Sequence, residues 1–137
     1  MSLKNETVLL DGNVFVALLL DTAKEHARVT QWADENPDVF LATCSVTEGT
    51  FLRLYLRHEK NKTLSNAWEA LRRFRVWPRH VFFDAGFSYI EVPCVGLTGG
   101  GQITDAWLAT LARRKGCRVA TFDSGFLSAH PDVAFRS

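Results

Sequence analysis

Short, almost uninterrupted apolar runs alternate along this chain with longer segments whose apolar residues recur at helical spacing. The apolar runs cover residues 8–10, 39–44 and 117–122. Runs this short and uniform are typical of strands buried on both faces of a parallel sheet. The helical spacing is found over residues 14–20, 22–36, 45–58, 63–77 and 103–116.

The alternation of strands with helices of crossover length predicts the α/β class, with three layers around a mostly parallel central sheet. Residues 80–84 fit either a strand or a short helix, and residues 88–93 are expected to be extended. Residues 96–102 are expected to form a flexible loop, and residues 123–126 the exit turn of the last strand. No linker, repeat or low-complexity tract interrupts the sequence, which predicts one domain over residues 1–137.

Four carboxylates stand at junctions between these predicted elements. Asp11 follows the first strand, and Asp123 follows the last. Glu48 and Asp105 lie at the starts of two predicted helices. Because strand ends and the starts of the following helices share one edge of a parallel sheet, all four side chains could meet in one cleft.

Each carboxylate also has a purely structural explanation. Asp11 fits a turn, and Asp105 is an acid at a helix start, where the helix dipole favours it. Ser45 and Glu48 have the spacing of a capping box, and Asp123 could cap a short helix or turn. Four coincidental placements at one edge are less probable than any single one, so the sequence favours a shared site.

A cluster of carboxylates needs positive charge to remain ionised, because the groups repel one another and burial adds to the cost. The four positions offer oxygen ligands alone, which suit Mg²⁺ or Mn²⁺ better than zinc. Such a cation could activate water and stabilise charge on a reacting phosphate.

The net charge of +1 conceals an uneven distribution of charge along the chain. The segment from Arg53 to Arg79 contains eight basic and two acidic residues, so it carries +6 and the remainder −5. Arg72, Arg73 and Arg75 would suit a phosphate-binding track for RNA, although a solvated helix face is the alternative. The polar opening residues lack a signal-peptide core and no apolar run could span a membrane, which predicts a cytoplasmic protein with no membrane partner.

Four stretches in this order, "LLDGNVF", "SVTEGTFLRL", "ITDAWLATLA" and "VATFDSGF", resemble the PIN domains of VapC-type toxins from bacterial and archaeal toxin–antitoxin pairs. The resemblance extends from Val8 to Phe126. It implies an α/β/α sandwich and a Mg²⁺-dependent endoribonuclease, with Mn²⁺ as a possible substitute, that cleaves RNA by metal-activated water. It also implies a small cognate antitoxin protein as partner and a homodimer.

The resemblance assigns roles to the acids. Asp11 and Asp105 are expected to ligate the metal most directly, and Asp123 directly or through water. Glu48 is expected to orient the attacking water, which makes all four acids catalytic in this interpretation. Cleavage should leave a 5′-phosphate and a 3′-hydroxyl.

Two polar residues beside the acids match positions that support the site in this family, Asn13 and Thr121. The glycines of Gly99–Gly101 depart from the family pattern, in which bulkier or basic residues are frequent, so no RNA-binding role is carried over to that loop.

Three other functions remain open from the sequence. A non-catalytic PIN-like module that binds RNA or protein is the main alternative. A phosphatase of the haloacid-dehalogenase type needs a second Asp where Asn13 stands, and a DNA flap nuclease would need clamping elements that the chain is too short to carry.

Overall fold

A computed structural model of the protein describes residues 6–60 and 62–137. The strands in this part of the chain are β1 (Thr7–Leu10), β2 (Phe40–Thr43), β3 (His80–Phe82), β4 (Arg118–Ala120) and β5 (Ala134–Phe135). The α-helices are α1 (Gly12–Leu19), α2 (His26–Glu35), α3 (Ser45–His58), α4 (Leu64–Arg75), α5 (Ile103–Lys115) and α6 (Ser124–Ala129). Two 3₁₀ turns cover Tyr89–Glu91 and Gly100–Gln102.

The strands form one sheet in the order β3-β2-β1-β4-β5, and all of its pairings are parallel. Leu9 of the central strand stands opposite Ala42 on one side and Val119 on the other. The sheet confirms the predicted α/β class, with a parallel sheet as the middle layer of an α/β/α sandwich.

Side chains on the two faces of β1 enter different cores, because successive residues of a strand point to opposite sides. Val8 and Leu10 pack with residues from α1 to α4, whereas Leu9 packs with α5 and with Phe126 of α6. In the first core, the ring of Phe15 lies 5.0 Å from those of both Phe51 and Phe74. The continuous apolar run of β1 is therefore explained by burial on both faces.

Several local expectations are corrected by the structure. Residues 89–91 form a 3₁₀ turn instead of an extended segment, because Ser88 Oγ accepts the Ile90 N–H at 3.1 Å and Glu91 Oε2 accepts the Ser88 N–H at 3.0 Å. The expected exit turn at 123–126 begins helix α6. The helix expected from residue 22 begins only at His26. The ambiguous 80–84 segment contains strand β3.

The glycine-rich segment is also more ordered than a flexible loop. Gln102 Oε1 accepts the N–H groups of Thr98 at 2.7 Å and Gly99 at 3.3 Å, and a 3₁₀ turn leads directly into α5.

Among the described residues, no helix has the length and apolar character needed to cross a membrane. Most of the polar opening used to predict a cytoplasmic protein, residues 1–5, lies outside the described part of the chain.

Candidate active site at the carboxyl edge of the sheet

Asp11 stands between the end of β1 and the start of α1, at the centre of the sheet edge. Its Oδ1 accepts the backbone N–H of Gly12 at 2.7 Å, so the side chain caps α1. The residue is only 9% exposed. A Cβ on Gly12 would lie 2.3 Å from Thr50 Cγ2, so the absence of a side chain allows α1 to approach α3 at this point.

Thr121 links the first acid to the last. Its buried hydroxyl donates a hydrogen bond to Asp11 Oδ2 at 2.7 Å and accepts one from the backbone N–H of Asp123 at 3.0 Å. The Thr121 hydroxyl therefore acts as both donor and acceptor, and it connects the ends of β1 and β4.

Asp123 is exposed and begins α6. One of its oxygens, Oδ1, accepts the N–H groups of Gly125 at 2.8 Å and Phe126 at 3.3 Å. The capping interpretation of Asp123 is thus correct as local structure, and it holds the carboxylate at the sheet edge.

Asp105 lies in the first turn of α5, on the opposite side of the sheet from α1 and α3. Burial, followed by the negative charges of Asp11 and Asp123, raises its pKa to about 7. The pKa of Asp11 is also raised, chiefly by burial and slightly by Asp123, against the hydrogen bonds from Thr121 and Gly12. The structure therefore brings these three aspartates within one another's electrostatic field.

The spacing of Ser45 and Glu48 predicts a capping box, but the structure does not form one there. The residue before α3 is Cys44, whose backbone N–H donates to Thr47 Oγ1 at 2.9 Å. Ser45 is already the first helical residue, so the carboxylate of Glu48 is left for another partner. That partner is Arg75, whose Nη1 lies 3.6 Å from Glu48 Oε2.

The environment of Glu48 differs from that of the three aspartates. Its side chain is 17% exposed, and burial raises the pKa of Glu48 above its usual value, although the nearby Arg75 acts in the opposite direction. The structure thus places Glu48 on the same edge of the fold, but its electrostatic partner is a cation.

The predicted arginine track is divided between two places. Arg72 and Arg73 pair with Glu69 of their own helix, each at 3.5 Å, on an exposed face. Arg75, at the end of the same helix, is the member of the trio that reaches an acid of the candidate site.

Asn13 lies in α1, and its Oδ1 is buried with no hydrogen-bond partner among the described residues. The supporting role expected of Asn13 therefore stays a prediction.

Across residues 6–60 and 62–137, no group of three or more His, Cys, Asp or Glu side chains has the arrangement of a ready metal centre. The donors nevertheless fit a hard divalent cation, because carboxylate oxygens are its preferred ligands. Because burial and the negative charges of Asp11 and Asp123 raise the pKa of Asp105, a cation beside these carboxylates would favour its ionised form.

The sequence as a whole matches a known family. The family model described as PIN domain matches residues 8–130 of the chain. The chain belongs to the PIN-domain family. The parallel α/β/α fold described above is therefore that of a PIN domain.

Curated PIN-domain relatives confirm the VapC-type resemblance seen in the sequence. Ribonuclease VapC29 of Mycobacterium tuberculosis (strain ATCC 25618 / H37Rv) is 35% identical over 128 residues, which cover 93% of this chain and 94% of the relative. Ribonuclease VapC38 of the same strain is 36% identical over 120 residues, 85% of each chain. Ribonuclease VapC44 is 30% identical over 129 residues, 90% of this chain and 91% of the relative.

Two contacts of this PIN domain were not foreseen from the sequence. One is the pairing of Glu48 with Arg75, and the other is a 2.6 Å hydrogen bond between Thr43 Oγ1, at the end of β2, and His80 Nε2, at the start of β3. Both join residues far apart in the chain, and no local spacing rule indicates such contacts.

Proposed function

We propose that this PIN-domain protein is an endoribonuclease that cleaves RNA with Mg²⁺ or Mn²⁺ held by Asp11, Asp105 and Asp123. The observation that carries the proposal is the gathering of three aspartates at one edge of the sheet, where burial, followed by the negative charges of Asp11 and Asp123, raises the pKa of Asp105 to about 7. The names of the VapC relatives, all ribonucleases, supply the substrate class.

The side chains of the site have separate tasks in this proposal. Asp11 is fixed by Gly12 and Thr121, so its orientation is set before any ligand arrives. Glu48 accepts a hydrogen bond from the attacking water and orients it towards the phosphate. The cation would supply positive charge beside the scissile phosphate, which an acidic cleft would otherwise repel. In-line attack then leaves a 5′-phosphate and a 3′-hydroxyl.

The protein acts, in the same proposal, as the toxin of a toxin–antitoxin pair in the cytoplasm. An apolar groove of about 640 Å³ between the ends of α1 and α4 offers a place for a helix of a small antitoxin. The apolar surface of the groove is formed by Leu18, Leu19, Phe74 and Trp77. Arg73 also lines the groove and would pair with an acidic side chain of the antitoxin.

A homodimer completes the proposal. Ile90 and Val95 are 93% and 96% exposed, and Tyr89 and Ile103 are 49% and 47% exposed. Such an apolar surface is suited to a second copy of the chain. Light scattering on the purified protein would give the mass of a dimer.

The decisive assay uses purified protein without partner and end-labelled RNA, in Mg²⁺, in Mn²⁺ and in EDTA. We expect cleavage in either metal, none in EDTA, and loss of cleavage in Asp11→Asn. Asp21→Asn, the same change at an exposed position, serves as the matched control and should cleave normally.

Three results would contradict the proposal. Cleavage that persists in Asp11→Asn would place the activity elsewhere, and a 2′,3′-cyclic phosphate product would exclude attack by water. RNA binding without cleavage in either metal would favour the non-catalytic module.

A further inference from the structure

Arg75 is the last residue of α4 and reaches across to the start of α3. Its Nη1 lies 3.6 Å from Glu48 Oε2, and the two residues are 27 positions apart in the chain. The contact therefore depends on the packing of α4 against α3 and not on local sequence.

The guanidinium group of Arg75 is held on a second side by an aromatic ring. Its Cζ lies 4.4 Å from the centre of the Phe82 ring in β3, which is cation–π geometry. The Arg75 side chain remains 47% exposed, whereas that of Glu48 is 17% exposed. The Arg75 guanidinium thus packs on the Phe82 ring and pairs with the Glu48 carboxylate at the same time.

The end of α4 is itself held against the sheet. The ring of Phe74, one residue before Arg75, lies 4.8 Å from the ring of His80 in an edge-on contact. His80 in turn bonds to Thr43 at the end of β2. These contacts fix the backbone from which Arg75 extends.

We propose that Arg75 is a positioning residue for Glu48, holding its carboxylate in place at the proposed ribonuclease site through the ion pair. This inference rests on the proposed function. A partly buried carboxylate without a partner is poorly solvated, and it would turn towards solvent or take up a proton. Arg75 opposes both tendencies and is itself held by Phe82, so the ion pair favours one orientation of Glu48.

Steady-state cleavage kinetics test this role against direct binding of RNA by Arg75. We expect Arg75→Gln to lower kcat about tenfold with KM unchanged, the size of effect typical when an outer partner of a site is removed. Arg75→Lys keeps the charge without the planar fork and should recover part of kcat. Arg57→Gln, on the exposed surface of α3, is the control and should behave as wild type.

The double variant separates the two roles. If Arg75 acts through Glu48, adding Arg75→Gln to Glu48→Gln should cause no further loss of kcat. A multiplied loss, or a raised KM with kcat unchanged, would show that Arg75 binds RNA itself and would overturn the proposal.

Urea unfolding of wild type, Arg75→Gln, Glu48→Gln and the double variant, without metal or RNA, tests the ion pair independently of catalysis. We expect the midpoint shift caused by Arg75→Gln to shrink when Glu48 is already Gln. Additive shifts would overturn the ion pair. If wild type cleaves RNA and Arg75→Gln cleaves it equally well, the role of Arg75 alone is overturned. If wild type does not cleave RNA but unfolding shows the Glu48–Arg75 ion pair, the ribonuclease assignment is overturned.

Discussion

A single hydroxyl, that of Thr121, holds the carboxylate of Asp11 and the backbone of Asp123 at once. Neither bond could be derived from the sequence, although the resemblance to PIN domains marked Thr121 as a supporting position. The hydroxyl is buried, so water cannot replace the bonds it makes. The Thr121 hydroxyl therefore orients one oxygen of Asp11, while the Gly12 N–H orients the other.

Replacing Thr121 by Val should show this role, since Val keeps the shape and removes the hydroxyl. Asp11 Oδ2 would lose its donor, and we expect the free energy of unfolding to fall by about 1–3 kcal/mol, with reduced cleavage. Thr121→Ser keeps the hydroxyl and is the matched control. Equal stability of the two variants in urea unfolding would show that the hydrogen bond is unimportant.

The raised pKa of Asp105 predicts how the metal-free protein responds to pH. The folded state keeps the Asp105 proton to about pH 7, whereas the unfolded chain releases it near pH 3.8, the ordinary pKa of an aspartate side chain. The stabilising contribution of the proton is complete below pH 3.8 and is lost as the pH rises through about 7. In EDTA, Asp105→Asn should therefore be more stable than wild type at pH 8, by about 1 kcal/mol once partial exposure is allowed for.

Asp132 provides a control of opposite sign. Its carboxylate accepts bonds from Arg113 at 2.8 and 2.9 Å, which lower its pKa. Asp132→Asn should consequently destabilise the protein at neutral pH, and the difference should fade in acid. A stability difference for Asp105→Asn that does not grow with pH would contradict the raised pKa of Asp105.

At the scale of elements, the approach of α1 to α3 depends on Gly12. Gly12→Ala would set a Cβ 2.3 Å from Thr50 Cγ2 and 2.7 Å from Thr50 Cβ. These atoms belong to the base of a short, branched side chain, so the helices themselves would have to separate. We expect a loss of about 1–3 kcal/mol in the free energy of unfolding, typical of overpacking.

Gly49→Ala is the matched control on the facing helix. Its new Cβ would meet only the end of the Arg53 side chain, at 3.2 Å, and that side chain can move. Ala is also the better helix former, so this variant should be as stable as wild type or slightly more stable. Equal destabilisation of both variants in thermal unfolding would contradict the close contact of α1 with α3.

The sequence predicted elements well where the helical spacing of apolar residues extends over a long segment, as in α3 and α5. It predicted them poorly where local polar contacts decide the structure. The Ser-x-x-Glu signature occurs at both Ser45 and Ser88. The structure forms the box at Ser88, while Cys44 and Thr47 begin α3 instead. Spacing alone cannot choose between the two, because the choice depends on which residue is still extended when the helix begins.

At the scale of the whole molecule, the candidate site joins both helical layers to the sheet. Asp11 and Glu48 come from the side that carries α1 to α4, and Asp105 comes from α5 on the other side. The meeting of acids at one edge could be predicted, because it follows from parallel topology. The pairing of Glu48 with Arg75 could not, because it arises from the packing of two helices.

A cation shared by the aspartates should stabilise the whole domain, since it would bind the folded chain and not the separated acids of the unfolded one. At a metal concentration 100 times Kd, the expected gain is about 2.7 kcal/mol. Tm measured with Mg²⁺ or Mn²⁺ should exceed Tm in EDTA for wild type, with a much smaller difference for Asp11→Asn. The same rise in both proteins would place the bound metal elsewhere.

The hydrogen bond between Thr121 and Asp11 spans 110 positions of the chain. During synthesis on the ribosome, Asp11 emerges well before Asp123 and before the Thr121 hydroxyl that orients it. Strand β1 also lacks its β4 neighbour until that moment. A nascent chain therefore carries an incomplete site beside the ribosome's own RNA until β4, Thr121 and Asp123 have also been made.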